Sequence, residues 1–132
     1  MPNTPAATLK TSRKSAAFKL TWTRSVRGDV YRLRAPRDAV GHEQQGRRYA
    51  VVLQSDDLNL STAIVAPTST AARPYVFRPK GTTVRGEPTR LIMLDQLRAV
   101  DVEKTAGDRV GRISPAEMVE VNRLLRAVLD IL

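Results

Sequence analysis

The 132-residue chain has no cysteine, one histidine, and 13 acidic residues against 22 lysines and arginines. Without cysteine there is no disulfide framework, no thiol nucleophile and no thiolate-ligated zinc or iron–sulfur centre. The single histidine, His42, likewise excludes a multi-histidine metal site. Long hydrophobic runs are missing too: the longest apolar stretch, Tyr49–Leu53, falls far short of the ~20 residues of a membrane helix. The expectation is a soluble protein without membrane contact, whose chemistry comes from hydroxyls, carboxylates, arginine, lysine and one imidazole.

What is present is a globular composition, 42% hydrophobic, in one domain's worth of chain. That length buries a core without metal or disulfide staples, which are usually needed only below about 40 residues. The net charge of +9 predicts an anionic partner, and its distribution is uneven. Residues 1–26 hold Lys10, Arg13, Lys14, Lys19 and Arg24 with no acid, whereas residues 27–132 hold 17 bases and 13 acids. More than half of the excess therefore sits in a basic N-terminal tail.

The tail is rich in Thr, Ser and Ala and has no apolar core of a secretory signal. It reads as a disordered arm weakly attracted to nucleic acid, and the same composition fits an organellar transit peptide. Phe18, Leu20 and Trp22 alternate, which leaves a short edge strand open there. The domain proper is expected over 27–132.

Within it, short strands dominate. Strands are expected at Gly28–Leu33, Arg48–Gln54, Ser61–Ala66 (ended by Pro67), Tyr75–Phe77, Thr89–Leu94 and Leu97–Val102, with a helical turn over Asp56–Leu60. The strand after Arg48 is apolar at successive positions and so is expected to be buried on both faces. The class is α+β, mainly β: a small SH3-like, partly open antiparallel barrel. A C-terminal amphipathic helix closes it. Ser114-Pro-Ala-Glu117 carries a capping box with proline at the first helical position. Met118, Val121, Leu125, Val128 and Leu132 then recur at spacings of three and four, a core-packing stripe.

The densest chemistry lies in Gly41-His-Glu-Gln-Gln-Gly-Arg-Arg48, where a polar loop meets the buried strand. Loops held by rigid elements are where binding groups concentrate. Arg27-Gly-Asp-Val-Tyr31, this loop, the apolar strand, Ala66-Pro-Thr-Ser69 and Asp95-Gln-Leu-Arg-Ala-Val-Asp101 follow one another ahead of the helix. In order and spacing, from Arg27 to Leu132, the chain resembles the MazF/PemK/Kid toxins of type II toxin–antitoxin systems. The tail has no counterpart.

The resemblance implies a MazF/Kid/CcdB-like fold and a cytoplasmic bacterial endoribonuclease, an mRNA interferase working as a homodimer. Such enzymes cut single-stranded RNA without metal or cofactor, leaving a 2′,3′-cyclic phosphate and a 5′-hydroxyl and so inhibiting translation and growth. The implied partners are an acidic, MazE-like antitoxin over the RNA groove and operator DNA met only through the antitoxin complex. The residue inventory suits that chemistry, which needs a base, an acid and positive charge on the phosphate.

Residue by residue, the resemblance places Arg48 at the active-site arginine, a guanidinium that stays charged at any working pH and can grip two phosphate oxygens. Ser69 takes the place of a phosphate-bonding hydroxyl, though it also reads as a strand-end turn residue. His42 and Asp95 match an acid/base pair; alternatives are an exposed loop histidine and a structural carboxylate. Glu43, Gln44, Gln45, Arg47, Thr68 and Gln96 are the expected RNA contacts, the amides suiting base edges. Val76, Phe77 and Leu91 are candidates for a subunit interface.

Three positions depart from the pattern: Tyr49 stands for a usual proline, Arg90 for a serine, and Met93 for a second arginine of the Kid-like branch. The expectation is that part of the phosphate clamp is missing or comes from Arg90, Arg73 or Arg78. These departures keep open a weakened family member that binds nucleic acid or antitoxin without cleaving. Gyrase poisoning of the CcdB kind relies on a C-terminal Trp and Ile; here the only Trp is Trp22 and the chain ends Leu129-Asp-Ile-Leu132.

Overall fold

The computed structural model describes residues 26–34 and 48–132. The described strands are β1 (Asp29–Leu33), β2 (Tyr49–Val52), β3 (Thr62–Ser69), β4 (Lys80–Gly81), β5 (Arg90–Ile92), β6 (Arg98–Asp101) and β7 (Ala106–Arg112). A 3-10 turn, Leu94–Gln96, separates β5 from β6; a short helix, α1 (Val102–Thr105), precedes β7; and α2 (Pro115–Leu129) closes the chain. The strands pair antiparallel in the order β4-β5-β3-β2-β1-β7, with β6 also on β3, and curl into a half-barrel. No described helix is long and apolar enough to cross a membrane.

Two hydrophobic clusters lie on opposite faces of this sheet. On one, Val30, Tyr49, Val51, Ala66, Ile92 and Leu94 pack with Val121 and Leu124 of α2. On the other, Tyr31, Leu33, Ala50, Val52, Ala63, Val65 and Val100 form a second cluster. All four residues of β2 are buried, which is why its apolar run does not alternate.

The helix begins as its sequence dictates: Ser114 Oγ accepts from Glu117 N at 3.1 Å, and Glu117 Oε1 accepts from Ser114 N at 2.8 Å. The other Glu117 oxygen accepts from Thr82 N, tying the cap to the sheet. The apolar stripe stops short of Leu132, because Asp130 turns left-handed (φ 56°) and Ile131 N bonds back to Arg126 O. Leu132 is exposed, and Leu124, outside the expected stripe, is buried instead.

Several local expectations are corrected. Pro67 does not end β3, which runs on to Ser69. In an antiparallel strand a residue's N–H and C=O point to the same side; Pro67 O accepts from Met93 N at 2.9 Å. Its missing N–H therefore faces the gap where the 3-10 turn already interrupts the ladder, and costs no sheet bond. Tyr75–Phe77 is a tight turn closed by Arg78 N to Tyr75 O, and Ser55–Leu58 is another where a helical turn was expected. Strand β7 was not foreseen: Ala-Gly-Asp-Arg-Val-Gly-Arg shows no apolar alternation. It is held instead by Asp29, 1% exposed, which takes Arg112 Nε at 2.7 Å, Arg109 Nε at 3.1 Å and Val26 N at 2.8 Å. Burial, and next the Asp29 charge, push the neighbouring Tyr31 phenol up to about 12.

Candidate active site

The site is built where β2 begins and β3 ends. The β2–β3 register pairs Ala50 with Pro67 and Val51 with Ala66. Carried on by two residues, it sets Tyr49 opposite Thr68 and Arg48 opposite Ser69. Thr68 Oγ1 donating to Tyr49 O at 3.2 Å fits that continuation. Since side chains alternate along a strand, Arg48 shares the face of Ala50 and Val52, and Ser69 shares that of Val65 and Pro67. Both belong to the face away from α2. Directly opposed residues have Cβ atoms ~5 Å apart. The row continues: Ser69 pairs with Leu91, and Leu91 with Lys80. Lys80 is an exposed cation on the same face as Arg48, and no feature of the sequence pointed to it.

The first two residues are held firmly. Arg48, half-buried, has its carbonyl fixed by Leu33 N at 2.7 Å. Ser69 Oγ accepts from Ala71 N at 3.0 Å and Ala72 N at 2.9 Å. Both expected readings of Ser69 are thus physically compatible: the backbone occupies the oxygen's acceptor sites, and the hydroxyl hydrogen is left to donate outward. Thr68 points to the opposite face from Ser69, its hydroxyl committed to Tyr49 O.

Asp95 sits in the 3-10 turn and receives the full fork of Arg78, Nε to Oδ1 at 3.0 Å and Nη2 to Oδ2 at 2.8 Å. The Arg78 hydrogen bonds hold the Asp95 carboxyl below its ordinary range, and the same bonds raise the Arg78 guanidinium. Arg78 also donates to Arg73 O at 3.0 Å and lies 4.8 Å from the Tyr75 ring centre, with Tyr75 and Phe77 stacked at 5.1 Å. Gln96 is exposed beside Asp95, its N–H bonded to Met93 O.

The departures Tyr49 and Arg90 turn out to be one feature. The Arg90 guanidinium lies 4.6 Å from the Tyr49 ring centre, pairs with Glu87 at 3.3 Å, and Tyr49 Oη bonds the same carboxylate at 3.2 Å. Arg90 is thereby spent on the α2 face, across the sheet from Arg48. His42, Glu43, Gln44, Gln45 and Arg47 lie outside the described residues, as do residues 1–25 of the expected tail. Among the described residues no group of three or more His, Asp or Glu side chains could hold a metal ion.

Comparison with known proteins agrees with this architecture. The sequence model of the PemK-like, MazF-like toxins of type II toxin–antitoxin systems matches residues 26–129. A candidate toxin of Mycobacterium tuberculosis is 39% identical over 106 residues, covering 80% of this chain and 98% of that protein. A mycobacterial endoribonuclease solved with its cognate antitoxin has the same fold, with a TM-score of 0.64 at 19% identity, covering 82% of this chain and 97% of that one. MazF of Deinococcus radiodurans matches with a TM-score of 0.61 at 20% identity, covering 83% and 99%. A family match over most of the domain, a relative at 39% identity and a shared half-barrel with its terminal helix together mean that the chain belongs to the PemK-like, MazF-like toxins of type II toxin–antitoxin systems.

Proposed function

We propose that this protein is the toxin of such a pair and cleaves single-stranded RNA, mRNA in the cell, without a metal ion. The observation that carries the reading is the register that sets Arg48 and Ser69 opposite one another on one sheet face. A guanidinium and a hydroxyl hydrogen pointing the same way form a phosphate cradle.

In the proposed reaction the RNA's 2′-hydroxyl oxygen attacks the adjacent phosphorus while a base takes its proton. The bond from phosphorus to the 5′-oxygen breaks, and an acid protonates that oxygen. A 2′,3′-cyclic phosphate and a 5′-hydroxyl result. Arg48 stabilises the charge that grows on the phosphate oxygens and Ser69 donates to one of them. The His42 imidazole accepts the 2′-hydroxyl proton, Asp95 as a carboxylate orients it and balances the imidazolium that forms, and Arg48 supplies the proton that the leaving 5′-oxygen takes up. Glu43, Gln44, Gln45, Arg47 and Gln96 serve RNA binding, while Thr68, expected to join them, faces the other side and braces the cradle through Tyr49 O. A homodimer, an acidic antitoxin over the groove, operator DNA reached through that complex and a cytoplasmic site of action complete the proposal, with 1–26 as a basic arm outside the domain.

The test is end mapping of a long unstructured RNA after incubation with the purified protein in EDTA. Cyclic-phosphate and 5′-hydroxyl ends are expected, and Arg48→Ala lowers the cleavage rate by about 10²–10³-fold. A requirement for Mg²⁺, or an Arg48→Ala variant as active as the parent, refutes it. Met93, apolar where a second arginine was expected, favours the binding-only reading; intact RNA alongside tight, Arg48-dependent binding would select it.

A further inference from the structure

We propose that Arg78 is the second phosphate-gripping residue of this site, parked on Asp95 while RNA is absent and passed to a backbone phosphate when RNA binds. The inference rests on the reading of the site as an RNA-binding one. Met93 supplies no charge, and Arg90 is committed to Tyr49 and Glu87 on the opposite face. Of the three arginines considered for the clamp, Arg78 alone presents both ends of its fork to a planar pair of oxygens. That geometry, 3.0 Å and 2.8 Å to one carboxylate, is the geometry a guanidinium uses for two phosphate oxygens.

Its position is right as well. The segment bearing Arg78 leaves β3 straight after Ser69 and returns at Pro79, whose carbonyl takes Ile92 N at 2.8 Å. Ile92 in turn pairs with Thr68, and Lys80 stands in the row of Ser69. Arg78 is therefore next to the row that contains the phosphate cradle. The guanidinium is prepositioned by Arg73 O and by the stacked Tyr75 and Phe77 rings, so little side-chain freedom is lost on gripping a ligand. Of the pair, Asp95 is the more exposed, 28% against 10%, so an incoming phosphate meets the carboxylate first and exchanges with it. One bidentate acceptor replaces another and the arginine is never left unpaired.

The exchange makes a signed prediction. A fluorescent 2′-O-methyl oligonucleotide of mixed sequence, which cannot be cleaved by 2′-hydroxyl attack, is titrated at several salt concentrations. Arg78→Ala weakens binding about 5–10-fold at low salt and lowers the salt slope by about one phosphate contact, while Arg78→Lys keeps the slope. Asp95→Asn tightens binding several-fold, because Arg78 no longer has to be released. In the Arg78→Ala background that tightening disappears.

If Asp95→Asn tightens binding equally in both backgrounds, the carboxylate acts through bulk charge alone and the exchange is refuted. An unchanged slope in Arg78→Ala refutes it too. Thermal midpoints confirm folding, and Arg78→Lys and Asp95→Asn still decide the matter if Arg78→Ala is unstable. Cleavage of an ordinary RNA is scored separately: a flat binding cycle in an active nuclease sinks this inference alone. A holding cycle without any cleavage sinks the nuclease reading alone.

Discussion

Replacing Arg90 by serine should cost stability and leave RNA contact untouched, and the amount can be worked from the geometry. The Arg90 side chain is 11% exposed and its guanidinium is 4.6 Å from the Tyr49 ring centre, so the cation–π contact belongs in the desolvated range of about 1.5–2 kcal/mol. The pair with Glu87 is long, 3.3 Å, and partly solvated, contributing about 0.5–1 kcal/mol. Against these stands Arg90 Nε, buried without a hydrogen-bond partner, a cost of about 1 kcal/mol that serine removes. The net loss for Arg90→Ser is then about 1–2 kcal/mol by urea unfolding. Tyr49→Leu combined with Arg90→Ser isolates the stacked pair in a double-mutant cycle, with a coupling energy of about 1.5 kcal/mol expected. The salt slope of oligonucleotide binding stays unchanged in Arg90→Ser, since this arginine faces α2. A coupling energy near zero would refute the stacking argument. A salt slope reduced by one contact would return Arg90 to the phosphate clamp.

Two further perturbations test how β7 is held. Asp29 is buried while Arg109 and Arg112 are about half-exposed, so the damage depends on which partner is removed. Asp29→Asn leaves two hydrated arginines and costs about 1–2 kcal/mol in urea unfolding. Arg109→Met with Arg112→Met strands a buried carboxylate and costs about 3–5 kcal/mol. Equal costs for the two variants contradict this. Gly111→Ala would set a Cβ 2.2 Å from Thr83 O, a backbone atom that cannot rotate away, and is expected to lose about 3 kcal/mol or more in thermal unfolding. Gly86→Ala meets open space and pays only for φ +85°, about 1–2 kcal/mol; a milder effect at Gly111 than at Gly86 would mean that β7 does not pack on that segment.

How much of this was legible beforehand depended on the range of the interactions concerned. The α2 cap is local, four residues whose spacing alone dictates the capping box, and β2 shows itself by a run of apolar residues. Strand β7 lacks both kinds of signal, because glycines stand at two of its positions, Val110 is the residue that packs on the core, and its anchor is an aspartate about eighty residues earlier. Pro67 misleads for a related reason: proline ends a strand only where its N–H is needed, and whether it is needed depends on the neighbouring strand.

The site divides along the same line. Arg48 and Ser69 stand out in the sequence through their motifs, but that they oppose each other on one face follows from strand register, which no single segment contains. Tyr49 and Arg90 look like two separate losses in the sequence, a rigid proline and a small serine gone. The fold brings them into one contact, in which the arginine that interrupts the pattern is neutralised by the tyrosine and Glu87 before it can disturb the phosphate side. Met93 is a loss of another kind, since nothing at that position restores its charge. The cation that can is Arg78, 17 residues from Asp95 in the chain and joined to it by a two-point fork. Departures from a family pattern are therefore better judged as contacts than as positions. By that measure Tyr49 and Arg90 leave the proposed cradle intact, and the proposed second grip on an RNA phosphate depends on whether Arg78 can leave Asp95.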